Sequence, residues 1–527
     1  MVIAVHPPLT GKHHGRRAFL GTGLSLGAAL LLPGCRRAVD GQRTSGNGGP
    51  SAGGMLHMVQ GADIQPALML SQNNPNFSVN RTVFNTLIAL DHHTLRPKAQ
   101  LATGWTVSDA GRRYVFTLRD DVRYHSGRPF GPDDVVFVLG HMAEETTTTQ
   151  VKAVAQQVIS AEKTGAHEVT VVFGQALDNV WDLFEMMILI DRESVDELTS
   201  GREIIGTGPF TLASYRPGAT ISLRRNEHYW KPSRPYLDGI EIAITSQSWT
   251  AVSSLRSLQS QLALDLSPLD AAGIRDLPGF RLVESDANDL TYYIGANLDI
   301  APLDRREVRQ AIAWAVDRDR VLDQALGGIG RTSSLPWSPG SPAWDDARAD
   351  TYGMDAAKAR SLLRQAGAAG TEIGLFYSNT LATNAAIAQI VQSNLADVGL
   401  RCRLEPKQAA DYDQLFIGGK LPGLFVNGHG FGRLSPATLV TGALPFNSEH
   451  NASNFRSPEY SRLAHAIWTG RGSALRTAYR ELNELFLTEQ FVIDLVNSTH
   501  TYAISTALKG LAWTMYDYLD LDDAYLA

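Results

Sequence analysis

Cysteine is nearly absent: the 527 residues hold only Cys35 and Cys402. Two cysteines in such different settings do not make a disulfide framework, and they leave no cysteine-based metal motif. Stability must then come from buried apolar surface. A chain with 44% hydrophobic and 19% charged residues can supply it, at a length that fits roughly two to four domains. A basic excess is also missing. With 47 Lys and Arg against 54 Asp and Glu the formal charge is −7, which gives no electrostatic footprint for nucleic acid. Signatures of catalysis are equally scarce. No H-E-x-x-H helix occurs and no pair of carboxylates stands out. The G-x-S-x-G at Gly23 to Gly27 lies in an apolar leader, not between a strand and a helix as a nucleophile elbow requires. His92 and His93 are neighbours whose side chains would point to opposite faces of a strand, so they read as a surface pair and not as metal ligands. The chain is therefore read as a non-enzyme with no cofactor and no bound metal.

What is present begins with an export segment. Arg16 and Arg17 precede an uncharged stretch of 17 residues, Ala18 to Gly34, that ends at Cys35. That stretch is short and glycine-rich for a membrane span and reads as a signal peptide over residues 1–35. Arg16, Arg17, Phe19 and Leu20 resemble the twin-arginine signal of proteins exported after folding. Leu32, Pro33, Gly34 and Cys35 resemble a lipoprotein cleavage box, in which Cys35 would carry the lipid, although Pro33 departs from the usual small residue. Residues 36–54, rich in Gly, Ser and Asn, read as a flexible tether. Without Lys12, Arg16 and Arg17 the chain from Cys35 onward carries 44 basic and 54 acidic residues, about −10.

Beyond the tether, strand and helix signals alternate without a repeat period, which points to α/β domains. Period-two alternation predicts strands with Tyr114, Phe116 and Leu118, with Val169, Val171 and Phe173, and with Ile240, Ile242 and Ile244 facing inward. One helix is expected to start at Asp304 as N-cap, with Glu307 completing a capping box and Val308, Ile312 and Ala315 on its buried face. A second runs from Asp355 to Ala366 and closes at Gly367. A third carries Ile387, Ile390, Val391, Leu395 and Val398 and stops at Gly399. The strand after it would turn Leu400, Cys402 and Leu404 inward, making Cys402 a buried small hydrophobe.

The run Leu95 to Phe137 (LRPKAQLATGWTVSDAGRRYVFTLRDDVRYHSGRPFGPDDVVF) reads as a strand ending near Trp105, a turn at Asp109 to Arg112, a return strand, and a helix capped near Asp133. This run resembles the signature of the family 5 extracytoplasmic solute-binding proteins, the receptors of peptide- and nickel-type ABC importers. Four further stretches match the family in order: GTGPF at Gly206 to Phe210, LRRNEHYW at Leu223 to Trp230, PLDRREVRQAIAWAVDR at Pro302 to Arg318, and DAAKARSLLRQAG at Asp355 to Gly367. The resemblance implies an α/β, bilobal type II periplasmic-binding-protein fold with an extra subdomain in lobe I. Lobe I would comprise residues 55–86, 206–289 and 500–527, its inserted subdomain 87–205, and lobe II 290–499. The implied function is to capture a small solute by hinge closure. The implied partners are a small-molecule ligand and ABC permease subunits in the inner membrane. The protein would be a monomer in the periplasm, or anchored to the membrane as a lipoprotein through Cys35.

Peptide-binding members of this family hold the ligand ammonium with an aspartate shortly before a proline in lobe II. The corresponding stretch here, Asn427 to Pro436, has Gly432 at that position, and no Asp or Glu occurs between Gln414 and Ser448. A buried ammonium without a counter-charge is disfavoured. Arg433 and His429 instead offer donors suited to an anionic group, Phe431 a stacking wall, and Asn427 an amide. Arg433 pairing with an acid and merely fixing the loop is the competing reading. In lobe I the resemblance places contacts at Gln72, Asn73, Asn74 and Phe77. The expected ligand is a small peptide-like or anionic solute. The alternatives are a metal-chelate (metallophore) receptor of the same family and a docking lipoprotein without transport. His125, in the signature, is expected to be structural.

Overall fold

The computed structural model describes residues 50–527 except 72, 73, 92, 265 and 286–289, and the side chains of residues 74, 268 and 269 are likewise outside the description. The leader, Cys35, Gly23 to Gly27 and tether residues 36–49 lie outside the described residues. So do Gln72, Asn73 and His92.

Three sheets carry the architecture. A seven-stranded sheet has the order Phe280–Glu284, Thr501–Ser505, Leu262–Ala263, Met55–Gln60, Gly239–Ile244, Thr220–Arg225, Phe210–Arg216. Strand Met55–Gln60 lies parallel to both of its neighbours. A six-stranded sheet has the order Arg331–Thr332, Val492–Ser498, Leu290–Ala296, Leu424–His429, Glu372–Ser378, Arg401–Lys407. Between the first and second stays in the seven-stranded sheet, the chain builds a four-stranded antiparallel sheet ordered Ala102–Ser108, Arg113–Leu118, Glu168–Phe173, Val158–Gly165. The chain passes to the six-stranded sheet after Glu284 and comes back at Thr501. These two crossings run side by side: Glu284 is opposite Thr501, Leu290 is opposite Ser498, and the Ser285 N–H donates to the His500 carbonyl at 3.0 Å. A ribbon this narrow joins the two large sheets.

The alternation rule places the strands correctly. Tyr114, Phe116 and Leu118 are buried, as are Val169, Val171, Phe173, Ile240 and Ile242, while Ile244 is half-buried. The apolar side chains divide into one core under the seven- and four-stranded sheets and a second around the six-stranded sheet, with a small third cluster beside the first. Among the described residues no helix is long and apolar enough to cross a membrane.

Three local expectations need correction. The helix expected from Asp304 spans Arg306–Ala315, with Arg305 at the N-cap position and no side-chain cap. The buried Arg309 guanidinium donates to the Leu303 and Asp304 carbonyls at 2.9 and 3.2 Å, which ties them into a turn and delays the helix. Val308, Ile312 and Ala315 are buried as expected. The signature helix, Pro132–Ala143, is capped at Gly131, whose N–H donates to the Asp134 carboxylate at 3.0 Å, and not by Asp133. Cys402 lies on the outer strand of its sheet and is half-buried. Partial burial still pushes its thiol up to about 12. Asp355 caps its helix, accepting from the Lys358 N–H.

Candidate functional site

The short motifs that carry the resemblance build a scaffold, not a pocket. A Cβ on Gly206 would sit 2.0 Å from the Val83 carbonyl oxygen, and one on Gly208 would sit 2.5 Å from the Val83 carbonyl carbon, so only glycine lets these backbones meet. The Gly208 N–H donates to the Val83 carbonyl at 2.9 Å, and the Asn226 amide of LRRNEHYW donates to the Gly208 carbonyl at 2.9 Å. His125 closes the same knot. Its Nδ1 accepts from the Gly206 N–H at 3.3 Å, which leaves the proton on Nε2 to donate to the Gly208 carbonyl at 3.0 Å. Burial holds this imidazole neutral, with its pKa down to about 4. Both ring nitrogens are used by backbone, as expected of a structural histidine.

The scaffold leaves a cavity of about 490 Å³ between the two large sheets, a volume suited to a small molecule. The crossing ribbon forms part of its wall through Ser498, Thr499, His500 and Thr501. The six-stranded side contributes Tyr292, the stretch Thr380 to Asn384, and Asn427 to Phe431. The seven-stranded side contributes Phe77, Ser246, Ser248, Leu266 and Ser267, and Gln150 enters from the region of the four-stranded sheet. Among the described lining residues none carries a carboxylate, ammonium or guanidinium. The wall offers hydroxyls, amides, imidazole and aromatic faces. Among the described residues no group of three or more His, Cys, Asp and Glu side chains is arranged to hold a metal ion.

Four of the expected contacts share this wall: Asn427, His429, Phe431 and Phe77. Phe77 packs edge-on against His500 and Tyr518 at 5.5 and 5.1 Å between centroids. Asn427 is half-buried, and its Oδ1 accepts from the Gly428 N–H at 2.9 Å. His429 is 5% exposed, and its Nδ1 accepts from the Phe431 N–H at 3.2 Å. Its ring sits against Tyr293, Phe431 and Phe446, and burial lowers its pKa to about 3, so it is a neutral imidazole with its proton on Nε2. Phe431 is half-buried and touches the apolar cores of both large sheets. Arg433 is placed differently. It is 9% exposed, is not among the lining residues, and lies over Gly340 so closely that a Cβ there would come within 3.1 Å of its Cζ. Next to it the Gly432 carbonyl accepts from both the N–H and the hydroxyl of Ser338 at 3.1 Å. Arg433 thus packs over Gly340 and is not one of the residues that line the cavity.

Sequence reading missed Tyr292, Thr383 and the ribbon residues Ser498 to Thr501. Tyr292 is half-buried, and loss of hydration pushes its phenol up to about 12 against the opposing effect of a hydrogen bond with Thr383. No local pattern marks these residues, because they become wall only where two chain crossings meet. The one available signal was the expected lobe boundary between Thr499 and His500.

Comparison with known proteins agrees with this architecture. Residues 96–442 match the family described as "Bacterial extracellular solute-binding proteins, family 5 Middle". The Di/tripeptide-binding protein 1 of Pseudomonas aeruginosa (strain UCBPP-PA14) is 26% identical over 480 residues, which span 83% of this chain and 86% of that protein. Among solved structures, the periplasmic binding protein DppA of Helicobacter pylori in complex with peptide STSA superposes with a TM-score of 0.78 at 20% identity, covering 90% of this chain and 98% of that one. The binding protein AgaA of A. tumefaciens R10 in complex with agropinic acid gives a TM-score of 0.79 at 20% identity, covering 90% of this chain and 99% of its own. These neighbours share the type II periplasmic-binding fold, and the motif order, the two-sheet architecture and the family match together identify the chain as a member of the family 5 bacterial extracellular solute-binding proteins.

Proposed function

We propose that this protein is the substrate-capturing component of a peptide-type ABC importer. It would enclose a small peptide-like or anionic solute in the cavity between its two large sheets and deliver it to permease subunits in the inner membrane. The observation that carries the reading is the cavity itself: its walls come from two separately cored sheets joined by one paired ribbon, an arrangement that lets two bodies close on a solute. In this reading lobe I comprises residues 55–86, 206–289 and 500–527, the inserted subdomain 87–205, and lobe II 290–499. Phe77, Asn427, His429 and Phe431 contact the solute, and Gln72, Asn73 and Asn74 are further contacts proposed from the sequence. Arg433 orients the loop that presents them. Export by a twin-arginine signal and lipid attachment at Cys35 belong to the same proposal, supported by Arg16, Arg17 and the Leu32 to Cys35 box. Native mass spectrometry of protein purified without denaturation tests the reading. A retained solute of small mass is expected, and readdition of that solute at a hundred times its dissociation constant should stabilise the fold by about 2.7 kcal/mol. Turnover of the solute, or its absence together with no thermal response to di- and tripeptides, would contradict the proposal.

A further inference from the structure

The stretch that supplies most of the six-stranded wall, Asn427 to Phe431, does not end inside its own sheet. It continues into a seam with the segment Leu177–Asp182, which follows the four-stranded sheet. Leu434 is fully buried, and it packs into the core of the seven- and four-stranded sheets. At the next residue the Ser435 N–H donates to Asp182 Oδ2 at 3.0 Å and the Ser435 hydroxyl donates to Asp178 Oδ2 at 2.7 Å. The Thr438 hydroxyl donates to Asp182 Oδ2 at 2.6 Å and receives the Asn179 amide at 2.9 Å. From a third part of the chain, the Tyr516 hydroxyl donates to Asp182 Oδ1 at 2.9 Å. Trp468 completes the seam, its indole N–H donating to Asn179 Oδ1 and its carbonyl accepting from the Asp178 N–H, both at 2.9 Å.

Asp182 is 5% exposed, and Asn179, Thr438 and Tyr516 are at or below 1%. The three donors to its carboxylate are neutral, and they come from sequence positions more than 250 residues away. A buried carboxylate in such a setting is tolerated only while its hydrogen bonds are all made, and it regains full hydration as soon as the seam parts. That balance gives the property a releasable catch requires: it is specific when closed and not costly to open.

We infer that Asp182 is a positioning residue for solute capture, the centre of a catch between the 177–182 segment and loop 431–438 that holds the wall stretch Asn427–Phe431 in place over the cavity. The inference rests on the solute-capture reading of the cavity. Burial raises the Asp182 carboxyl to about 6, so the closed seam takes up a proton more readily than the parted one. Linkage then makes the closed seam relatively more stable as pH falls from about 6 towards 4, and less stable as pH rises through that window. The ionisable groups facing Asp182 are Asp178, Glu185 and Tyr516. Glu185 is itself paired with Arg81, while Arg471 and Tyr479 face Asp178.

The test uses the full chain with Cys35 and Cys402 replaced and spin labels at the exposed Ile159 and Ile417. It combines inter-label distances with amide exchange at Ser435, both read without added solute. Asp182→Ala should lengthen or broaden the distance distribution and speed Ser435 exchange at least tenfold. Thr438→Val, which deletes one donor from a position that should still fold, should do the same to a smaller extent. The wild type should open more between pH 4 and 6, and Asp182→Asn should flatten that profile. Wild-type exchange and distances in both Asp182→Ala and Thr438→Val would overturn the inference. Seam variants that open while a captured native solute leaves the wild-type distance unchanged would uphold the catch and remove the capture reading instead.

Discussion

Replacing His429 by Asn should remove a defined part of the protein's acid sensitivity. In the folded chain the His429 Nδ1 accepts the Phe431 N–H, and an Asn side chain can accept an N–H two residues on in the same way, as in an Asx-turn. The exchange therefore keeps the local turn while deleting the titrating ring. Burial lowers the His429 pKa to about 3, against about 6.5 in an unfolded chain. The sign follows from which state takes the proton first. Between pH 6.5 and 3 the unfolded chain is protonated at this site and the folded one is not, so stability is fully present above 6.5 and is lost as pH falls. At 1.36 kcal/mol per pKa unit, the loss between pH 8 and 5 is about 2 kcal/mol for this one group. The wild type alone does not isolate it, because Asp182, Glu185 and Asp522, raised by burial to about 6, 7 and 6, contribute with the opposite sign over part of that range. The difference between wild type and His429→Asn does. Urea unfolding at pH 8 and pH 5, with equal m-values required, should show the stability gap shifting by about 2 kcal/mol in favour of the variant at pH 5. Parallel pH profiles would refute the assignment of a neutral, buried imidazole to the cavity wall.

Three further outcomes follow from the geometry. Gly208→Ala should destabilise by roughly 2 to 5 kcal/mol, since its Cβ must displace the Val83 backbone and break the Gly208 to Val83 hydrogen bond; an unchanged urea midpoint would count against the close approach. Arg433→Ala should lower unfolding stability by about 2 kcal/mol or more through lost packing over Gly340, whereas normal stability with a large affinity loss would mean direct contact with an anionic solute. Changing Arg16 and Arg17 together to Lys should slow export markedly in a pulse-chase assay, and export at the normal rate would rule out the twin-arginine route.

Much of the fold was legible because its signals are local. Period-two alternation around Phe116, Val171 and Ile242 marks strands that really do bury those side chains, and Asp355 and Gly367 bracket a helix by their own chemistry. The N-cap at Asp304 was misread because Arg309, a turn further on, claims the carbonyls that a helix beginning there would need. Cys402 faces the core as expected but is only half-buried, because alternation tells which residues share a face but not whether a strand is central or outermost. The cavity was legible only in part. The loop of Asn427, His429 and Phe431 could be found from its unusual composition. The direction of the Arg433 side chain depends on Gly340, some 90 residues away. Tyr292, Thr383, Ser498 and His500 are ordinary residues made important by where two chain crossings happen to run, and Asp182 acquires its partners only through tertiary contact.

The central claim is that a solute draws the two sheet bodies together about the crossing where Glu284 pairs with Thr501 and Leu290 with Ser498. Small-angle scattering of the same preparation, first with its retained solute and then after exhaustive stripping and readdition, tests this directly. The account predicts a radius of gyration that rises on stripping and returns on readdition, and one that stays constant while solute demonstrably binds would contradict it.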